Sequence, residues 1–400
     1  MGKQRGLNVN RRKAASLRVA NIIEEGRIGG PQRRMVLVAN ALQGRVDTTL
    51  VFPRQNSLAF QKLCREHQVV YETLPLTRIT KEWRVAIRYL FGSVFEVLRL
   101  AKYLRSQTFD LVHVSGGSWQ YKGIIAAHLA GVPVVWHMND TYVPRLFYKL
   151  CLFVSRLASG FIFASEASRA YYAELLGRDR PDSVIPAPAD CEKFRRNADF
   201  DLTPHDAEYS KEWVGETVIG TVANVSPVKD LATFVRMASE LNNRYSRLRF
   251  VVVGPISDSQ TAYGREIETL VHSLGVSNIT FVGQREDVRP LLAEFDIFVC
   301  SSRAESSPLS VWEAMAMSLP IVSTQVGDVP KYVREGQEGF LAPVEDALGL
   351  AEGVSKLISD AALRCSIGAA AREAALANFP VARIAELTEA AYRSVLDGAR

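Results

Sequence analysis

The sequence predicts two successive doubly wound α/β domains that face each other across a deep cleft. Three observations carry this expectation. Short apolar, β-branched runs alternate with helical stretches, the pattern of parallel strands covered on both faces. The alternation loosens only once, around residues 185–217, where Pro186, Pro188, Pro204 and mixed charges read as a linker. It then resumes, and a chain of 400 residues holds about two domains of ordinary size.

The elements follow in order. Residues 1–14, with Arg11, Arg12 and Lys13, read as a disordered basic tail. Residues 17–23 form a strand, 26–31 a glycine-rich loop, 32–42 a helix and 48–52 a strand. Lys81 to Arg105 reads as one long helix. Strands at 109–114, 132–136 and 160–164 are separated by helices at 121–130 and 168–176. After the linker come strands at 218–225, 249–253, 279–282, 297–300 and 320–323. Helices at 230–241, 263–274, 288–294 and 309–317 alternate with them. A helical tail runs from 347, breaks at Asn378-Phe379-Pro380 and restarts over 381–396. The expected division is therefore 15–186 and 187–380, with a last helix, 381–400, crossing back to the first domain.

Composition narrows the class. Hydrophobic residues make up 48% of the chain, enough for two cores and too much for a disordered protein. The five cysteines, Cys64, Cys151, Cys191, Cys300 and Cys365, are widely spaced and form no C-x-x-C pair. That argues against a disulfide framework or a cysteine zinc site and suits a reducing cytosol. The most apolar long stretch, 146–164, is interrupted by Lys149 and Arg156, so no transmembrane helix is expected. No apolar stretch follows the basic N-terminus, so no secretory leader is expected. Charge is uneven. Residues 1–190 hold 27 Lys and Arg against 14 Asp and Glu, whereas the rest hold 21 against 29. A basic first half suits a phosphate-rich substrate, an anionic membrane or nucleic acid. Nucleic acid is disfavoured, because the strands read as buried and offer no stacking surface.

The densest chemical signal lies at 300–320. A strand ends at Cys300, a polar loop carries Glu305, and Ser307-Pro308 reads as the cap and first residue of a helix. The free amides of Leu309 and Ser310 would then form an anion site at the positive end of that helix. Glu313 lies in its next turn. In open α/β sheets ligands bind beyond the carboxyl ends of the strands, which is where this junction falls.

Residues 218–343 resemble, segment by segment, the donor-binding domain of the large retaining glycosyltransferase family with the E-x7-E motif. The matching pieces are Gly220-Thr-Val-Ala-Asn-Val-Ser-Pro-Val-Lys229-Asp230, Phe250-Val-Val-Val-Gly254-Pro, Ile279-Thr-Phe-Val-Gly283 and Phe295-Asp296-Ile-Phe-Val-Cys-Ser301 before Glu305. Pro320-Ile-Val-Ser-Thr-Gln-Val-Gly327 and Gly336-Gln-Glu-Gly339 complete them. Looser matches in the first half are Gly29-Gly30-Pro-Gln-Arg33, Ala130-Gly-Val-Pro133-Val-Val-Trp-His137 and Val184-Ile-Pro-Ala-Pro-Ala-Asp190. The resemblance covers most of residues 17–395. It implies a family 4-like enzyme of the GT-B fold, two facing Rossmann-like domains, acting on a UDP- or GDP-linked sugar.

The resemblance also implies roles. Lys229 would contact the diphosphate, with Asn224, Ser307, Leu309 and Ser310 around it. Glu305 would lie near the transferring sugar and Glu313 would hold the ribose hydroxyls. Gly29 and Gly30 would let the backbone approach the donor phosphates or the acceptor. His137, expected just past a strand end with His113 as a weaker companion, would bond the sugar or shuttle a proton. No metal or other cofactor is implied, since amides and Lys229 take over phosphate stabilisation. Some positions depart from the family pattern. Asn224 stands where the family has a phosphate-binding Arg, Ala223 and Asp230 replace glycines, and Ser306-Ser307 replaces Gly-Phe. A D-x-D at Asp199–Asp201 lies in the linker and reads as chance.

The helix at 81–105 carries two stripes. Trp83, Ile87, Leu90, Val94, Val97, Ala101 and Leu104 should pack on the sheet. Arg84, Arg88, Phe91, Phe95, Arg99, Lys102 and Arg105 should face an anionic bilayer. The expected function is transfer of a sugar to a lipid-linked or growing saccharide acceptor, in cell-surface polysaccharide or glycolipid synthesis. The expected place is the cytoplasm, peripheral at the inner face of the cytoplasmic membrane. A sugar-nucleotide epimerase of the same fold, or an inactive binding relative, stays open at this point.

Overall fold

A computed structural model describes residues 16–77, 83–141, 143–175, 180–196, 209, 211–257 and 260–398. The basic tail at 1–14, the D-x-D at Asp199–Asp201 and the side chains of residues 83–91 lie outside the described residues.

Two parallel sheets form the frame. The first contains β1 (Leu17–Ile22), β2 (Val46–Pro53), β3 (Tyr71–Leu74), β4 (Leu111–Val114), β5 (Val134–Met138), β6 (Gly160–Phe163) and β7 (Asp182–Val184), ordered β3-β2-β1-β4-β5-β6-β7. Its helices are α1 (Gly30–Ala41), α2 (Leu58–Glu66), α3 (Trp83–Gln107), α4 (Tyr121–Ala130), α5 (Arg145–Ser155) and α6 (Glu166–Tyr171). The second contains β8 (Thr217–Val222), β9 (Leu248–Val253), β10 (Ile279–Gly283), β11 (Ile297–Cys300), β12 (Ile321–Thr324) and β13 (Gly339–Ala342), ordered β10-β9-β8-β11-β12-β13. Its helices are α7 (Leu231–Asn242), α8 (Thr261–Ser273), α9 (Arg289–Glu294), α10 (Leu309–Ala316), α11 (Val329–Tyr332), α12 (Ala347–Ser359) and α13 (Ala361–Asn378). The last helix, α14 (Val381–Gly398), lies on the first sheet, where Ile384, Tyr392 and Val395 share a core with Val19, Leu111 and Ile162.

Strand order reverses between β1 and β4 in one sheet and between β8 and β11 in the other. Loops that leave a sheet at such a reversal diverge to opposite faces and open a crevice. The loop after β1 carries Gly29, that after β8 carries Asn224 and Lys229, and that after β11 carries Glu305. Sheet topology thus gathers residues far apart in sequence.

Three readings are corrected. β5 begins and ends two residues later than expected, so His137 falls inside the strand and is 1% exposed. Val97, Ala101 and Leu104 are buried as one stripe of α3, but Val94 is 60% exposed, so the stripe turns outward there. The helix expected at 168–176 is α6 at Glu166–Tyr171 followed by a single 3-10 turn.

Candidate active site

The site begins with two helix ends. The amides of the first turn have no acceptor inside their own helix, so each end presents N–H groups and partial positive charge. The starts of α1 and α10 face each other: a Cβ built on Gly30 would stand 3.1 Å from Leu309 Cδ1. Gly30 therefore marks a close approach between the domains. The preceding Gly29 N–H donates to the Gln32 side chain, 3.0 Å away. In α10 the Val311 and Trp312 amides donate to the Pro308 carbonyl, which leaves those of Leu309 and Ser310 ahead of the first intrahelical bond.

Ser307 does not cap α10, contrary to expectation. Pro308 occupies the cap position. The Ser307 hydroxyl accepts from the Ala187 amide at 2.8 Å and from Trp312 Nε1 at 2.9 Å. It ties the inter-domain linker to the helix instead.

Lys229 and Glu305 meet. The ammonium is paired with the carboxylate, and Ser302 Oγ donates to Glu305 Oε1 at 2.9 Å. The Ser301 hydroxyl donates to the Lys229 carbonyl at 3.1 Å, and the Arg303 amide to the Val228 carbonyl at 2.8 Å. These bonds zip the two loops together. Burial draws the Lys229 pKa down, but the Glu305 carboxylate outweighs it and the net shift is upward. The side chains keep 26% and 14% of their exposure, so both reach the cleft.

Asp230 follows Lys229 with φ +47°, a left-handed conformation that explains the family's glycine there. Aspartate tolerates it better than most residues. Its buried carboxylate accepts from Thr233 Oγ1 at 2.7 Å and lies 3.3 Å from Arg303 Nε. One carboxylate oxygen is thus satisfied locally, and Oδ1 is buried without a hydrogen-bond partner among the described residues. Asn224 is exposed on the same loop. Gly254, at φ +156°, backs that loop so closely that a Cβ would overlap the Ala223 carbonyl.

Glu313 projects from the next turn of α10. Burial pushes its pKa up to about 7, opposed by Arg33 and reinforced by Asp287. Arg33 belongs to α1, so the two domains share one electrostatic field. Sequence reasoning did not single out Arg33 or Ser302. Ser302 sits three residues before Glu305, but no motif marks it.

His137 is placed elsewhere. Its Nδ1 lies 3.3 Å from His113 Nε2, and His113 Nδ1 lies 2.7 Å from the Tyr392 hydroxyl of α14. Burial, with Arg34 beside both rings, holds both imidazoles well below their usual pKa. Both rings are buried and neutral at pH 7. Neither contact reaches Glu305 or Lys229, so the structure does not bring His137 into the site as a proton shuttle.

Two parallel α/β sheets, helix N-termini in close approach and a Lys–Glu pair on the loops beyond the strand ends give a two-domain protein with a cleft whose chemistry suits an anion. Comparison with known proteins makes the class specific. Residues 28–193 match the model described as Glycosyltransferase Family 4, and residues 216–360 match Glycosyl transferases group 1. An N-acetyl-alpha-D-glucosaminyl L-malate synthase of Bacillus anthracis is 34% identical over 128 residues, 32% of this chain and 34% of that protein. An N,N'-diacetylbacillosaminyl-diphospho-undecaprenol alpha-1,3-N-acetylgalactosaminyltransferase of Campylobacter jejuni is 24% identical over 369 residues, 85% of this chain and 89% of that protein. The crystal structure of Anabaena HepE with UDP and glucose shares the fold, with a TM-score of 0.78, 21% identity and 94% of this chain and 99% of that one covered. The chain belongs to the family 4-like glycosyltransferases of the GT-B fold.

Proposed function

We propose that this glycosyltransferase works with retention of configuration, moving a sugar from a UDP- or GDP-linked donor to a lipid-linked or growing saccharide acceptor. The observation that supports the reading is the Lys229–Glu305 pair on the loops after β8 and β11, with Glu305 on the loop that leads into the α10 N-terminus. When a donor enters, its diphosphate takes Lys229 and the amides of Leu309 and Ser310. Glu305 loses its partner and turns its carboxylate to the sugar, where it stabilises positive charge near the anomeric carbon. Glu313 holds the ribose. The leaving diphosphate is neutralised by amides and one lysine, with no metal. Asn224 adds a hydrogen bond but no charge.

The relatives support a lipid-linked acceptor. The Campylobacter protein's name specifies an undecaprenol-linked acceptor, and a lipid-linked acceptor requires access to a bilayer. No described helix is long and apolar enough to cross a membrane. The supporting surface is on the first domain. α3 exposes Phe95, Leu98, Arg99, Lys102 and Arg105, and α5 exposes Lys149, Leu150, Phe153 and Arg156. We place the enzyme at the cytoplasmic face of the membrane, in polysaccharide or glycolipid synthesis. A panel of nucleotide sugars tests the core of the reading. A true donor at a hundredfold excess over its Kd stabilises the protein by about 2.7 kcal/mol. Proton NMR of the first product then reports the anomeric configuration. No stabilisation by any nucleotide sugar refutes the donor site, and an inverted product refutes retention.

A further inference from the structure

The first domain touches the second beside Glu305, through a contact that the donor-site reading does not use. Asp328 opens α11 in the second domain and is 3% exposed. Its carboxylate accepts from two amides of the first domain, Glu166 N at 3.0 Å and Ala167 N at 3.3 Å. These are the first amides of α6, otherwise without intrahelical acceptors. Lys331 reaches Glu166 at 3.4 Å alongside.

The same contact grips the residue after Glu305. The Asp328 amide donates to the Ser306 carbonyl at 3.1 Å. The Ser306 hydroxyl lies 2.7 Å from that of Ser165, the cap of α6. Both serines are buried. Gly327, at φ +52°, lies so close that a Cβ would overlap the Ser306 carbonyl and press on that of Glu305. Segment 305–306 is therefore held at one end by Lys229 and Ser302 and at the other by Asp328 and Ser165. Of the second grip, the Asp328 amide bond lies within the second domain, whereas the Ser165–Ser306 bond exists only while α6 is docked. Separating the domains would take both α6 amides from the Asp328 carboxylate and the Ser165 partner from the Ser306 hydroxyl together, so the contact is made or lost as a unit.

We infer that Asp328 is a positioning residue: its carboxylate clasps α6 across the domain boundary, which seats Ser165 against Ser306 and so completes the hold on the segment that carries Glu305 when the domains are closed. This rests on the proposed role of Glu305, but the clasp itself has a readout that does not.

The experiment compares the full chain with Asp328→Asn and Ser165→Ala. The asparagine keeps the volume and leaves one oxygen to serve two amides. Hydrogen exchange is followed by mass spectrometry in the peptides spanning 165–168 and 302–310. Asp328→Asn should speed exchange in both segments by about tenfold or more, the loss expected for a charge-assisted bond. Ser165→Ala, made from the other domain, should loosen 302–310 in the same direction. With a donor that wild type turns over, kcat should fall by about tenfold while the Kd for UDP or GDP stays within about twofold, since the lost contacts fall at Ser306 and leave Lys229 and the Leu309 and Ser310 amides in place. Faster exchange at 165–168 with 302–310 unchanged overturns the coupling to Glu305, and unchanged exchange in both overturns the clasp. Equal losses in kcat and nucleotide affinity also overturn it, by marking a general structural defect. If Asp328→Asn does not fold, Ser165→Ala alone decides by the same two peptides. If wild type turns over no donor, the function reading fails while the exchange result still stands for or against the clasp.

Discussion

The two walls of the cleft carry similar kinds of polar residue and use them in opposite ways. In the second domain Lys229, Glu305 and Glu313 stand on loops or a helix start beyond the strand ends, partly open to the cleft. In the first domain His113, His137, Arg34 and Tyr392 lie inside the fold, between strands β4 and β5 and helices α1 and α14. Position in the fold separates the two groups: side chains on the loops and helix start beyond the strand ends stay partly exposed, whereas those inside strands β4 and β5 or on the inner faces of α1 and α14 are buried.

The sharpest way to test that contrast is Glu305→Gln. It should leave UDP or GDP affinity nearly unchanged and lower kcat by about 10²-fold or more, as loss of charge stabilisation at a reacting carbon does. Steady-state kinetics with the donor found by thermal shift checks it. Near-normal turnover would remove Glu305 from the chemistry and erase the distinction between the walls.

Next in size is Lys229→Ala. A charge-assisted phosphate contact contributes about 1.5–3 kcal/mol, so nucleoside diphosphate binding should weaken roughly 10- to 100-fold. Nucleoside binding should barely change. Calorimetric titration with uridine and UDP, or guanosine and GDP, reads the difference. An equal loss for both ligands puts the ammonium elsewhere in the bound state.

How far the sequence foretold this contrast depends on the element. Both sheets and the Lys229 and Glu305 loops were legible, because β-branched runs and ordered motifs mark them. Edge strands β3 and β7 were missed, being short and lacking apolar alternation. α2, α5, α11 and β13 were also missed. α2 hides between turn residues, and α5 lies in a stretch read only for its apolarity. The His137 placement failed because strand ends are set by pairing partners. β5 is fixed by its register, Val134 to Val112 and His137 to Ile162, which the sequence alone does not state. Ser307 has the chemistry of a cap, but tertiary partners at Ala187 and Trp312 claimed its hydroxyl. The clasp at Asp328 joins residues from two domains and no local pattern announces it.

The buried wall makes a pH prediction. His113 and His137 titrate well below their ordinary value when folded and near 6.5 when unfolded. Below pH 6.5 the unfolded chain therefore binds more protons than the folded one, and stability falls as pH falls. Each histidine contributes up to about 1.4 kcal/mol per pH unit while its folded form stays neutral. Glu313, with its pKa raised to about 7, works against this, because its protonated form is favoured in the fold. The test is thus a difference. Denaturant midpoints of wild type and of a His113→Gln/His137→Gln variant should converge as pH drops from 7 to 5.5. Wild type is the more stable at pH 7. Parallel curves would mean that the histidines titrate alike in the folded and unfolded chain, as exposed groups do.

The smallest expected effect concerns the outer face of the first domain, where exposure is again the deciding quantity. Phe95 is 72% exposed and Leu98 54% exposed on α3, beside exposed Arg99, Lys102 and Arg105. Large apolar side chains left in water next to cations suit the boundary of an anionic bilayer. Each Lys or Arg at such a surface contributes about 1 kcal/mol. Arg99→Gln with Lys102→Gln should therefore weaken co-sedimentation with vesicles of anionic phospholipid by roughly tenfold or more, and added salt should weaken wild type in the same way. Neutral vesicles should retain little of either protein. Phe95→Ser should lower the salt-insensitive part of binding and leave the thermal midpoint unchanged, because so exposed a ring has little packing to lose. A fall in the midpoint would mean that the ring is covered in solution. Binding to anionic vesicles that survives all three substitutions would move the contact to Lys149, Leu150 and Phe153 on α5.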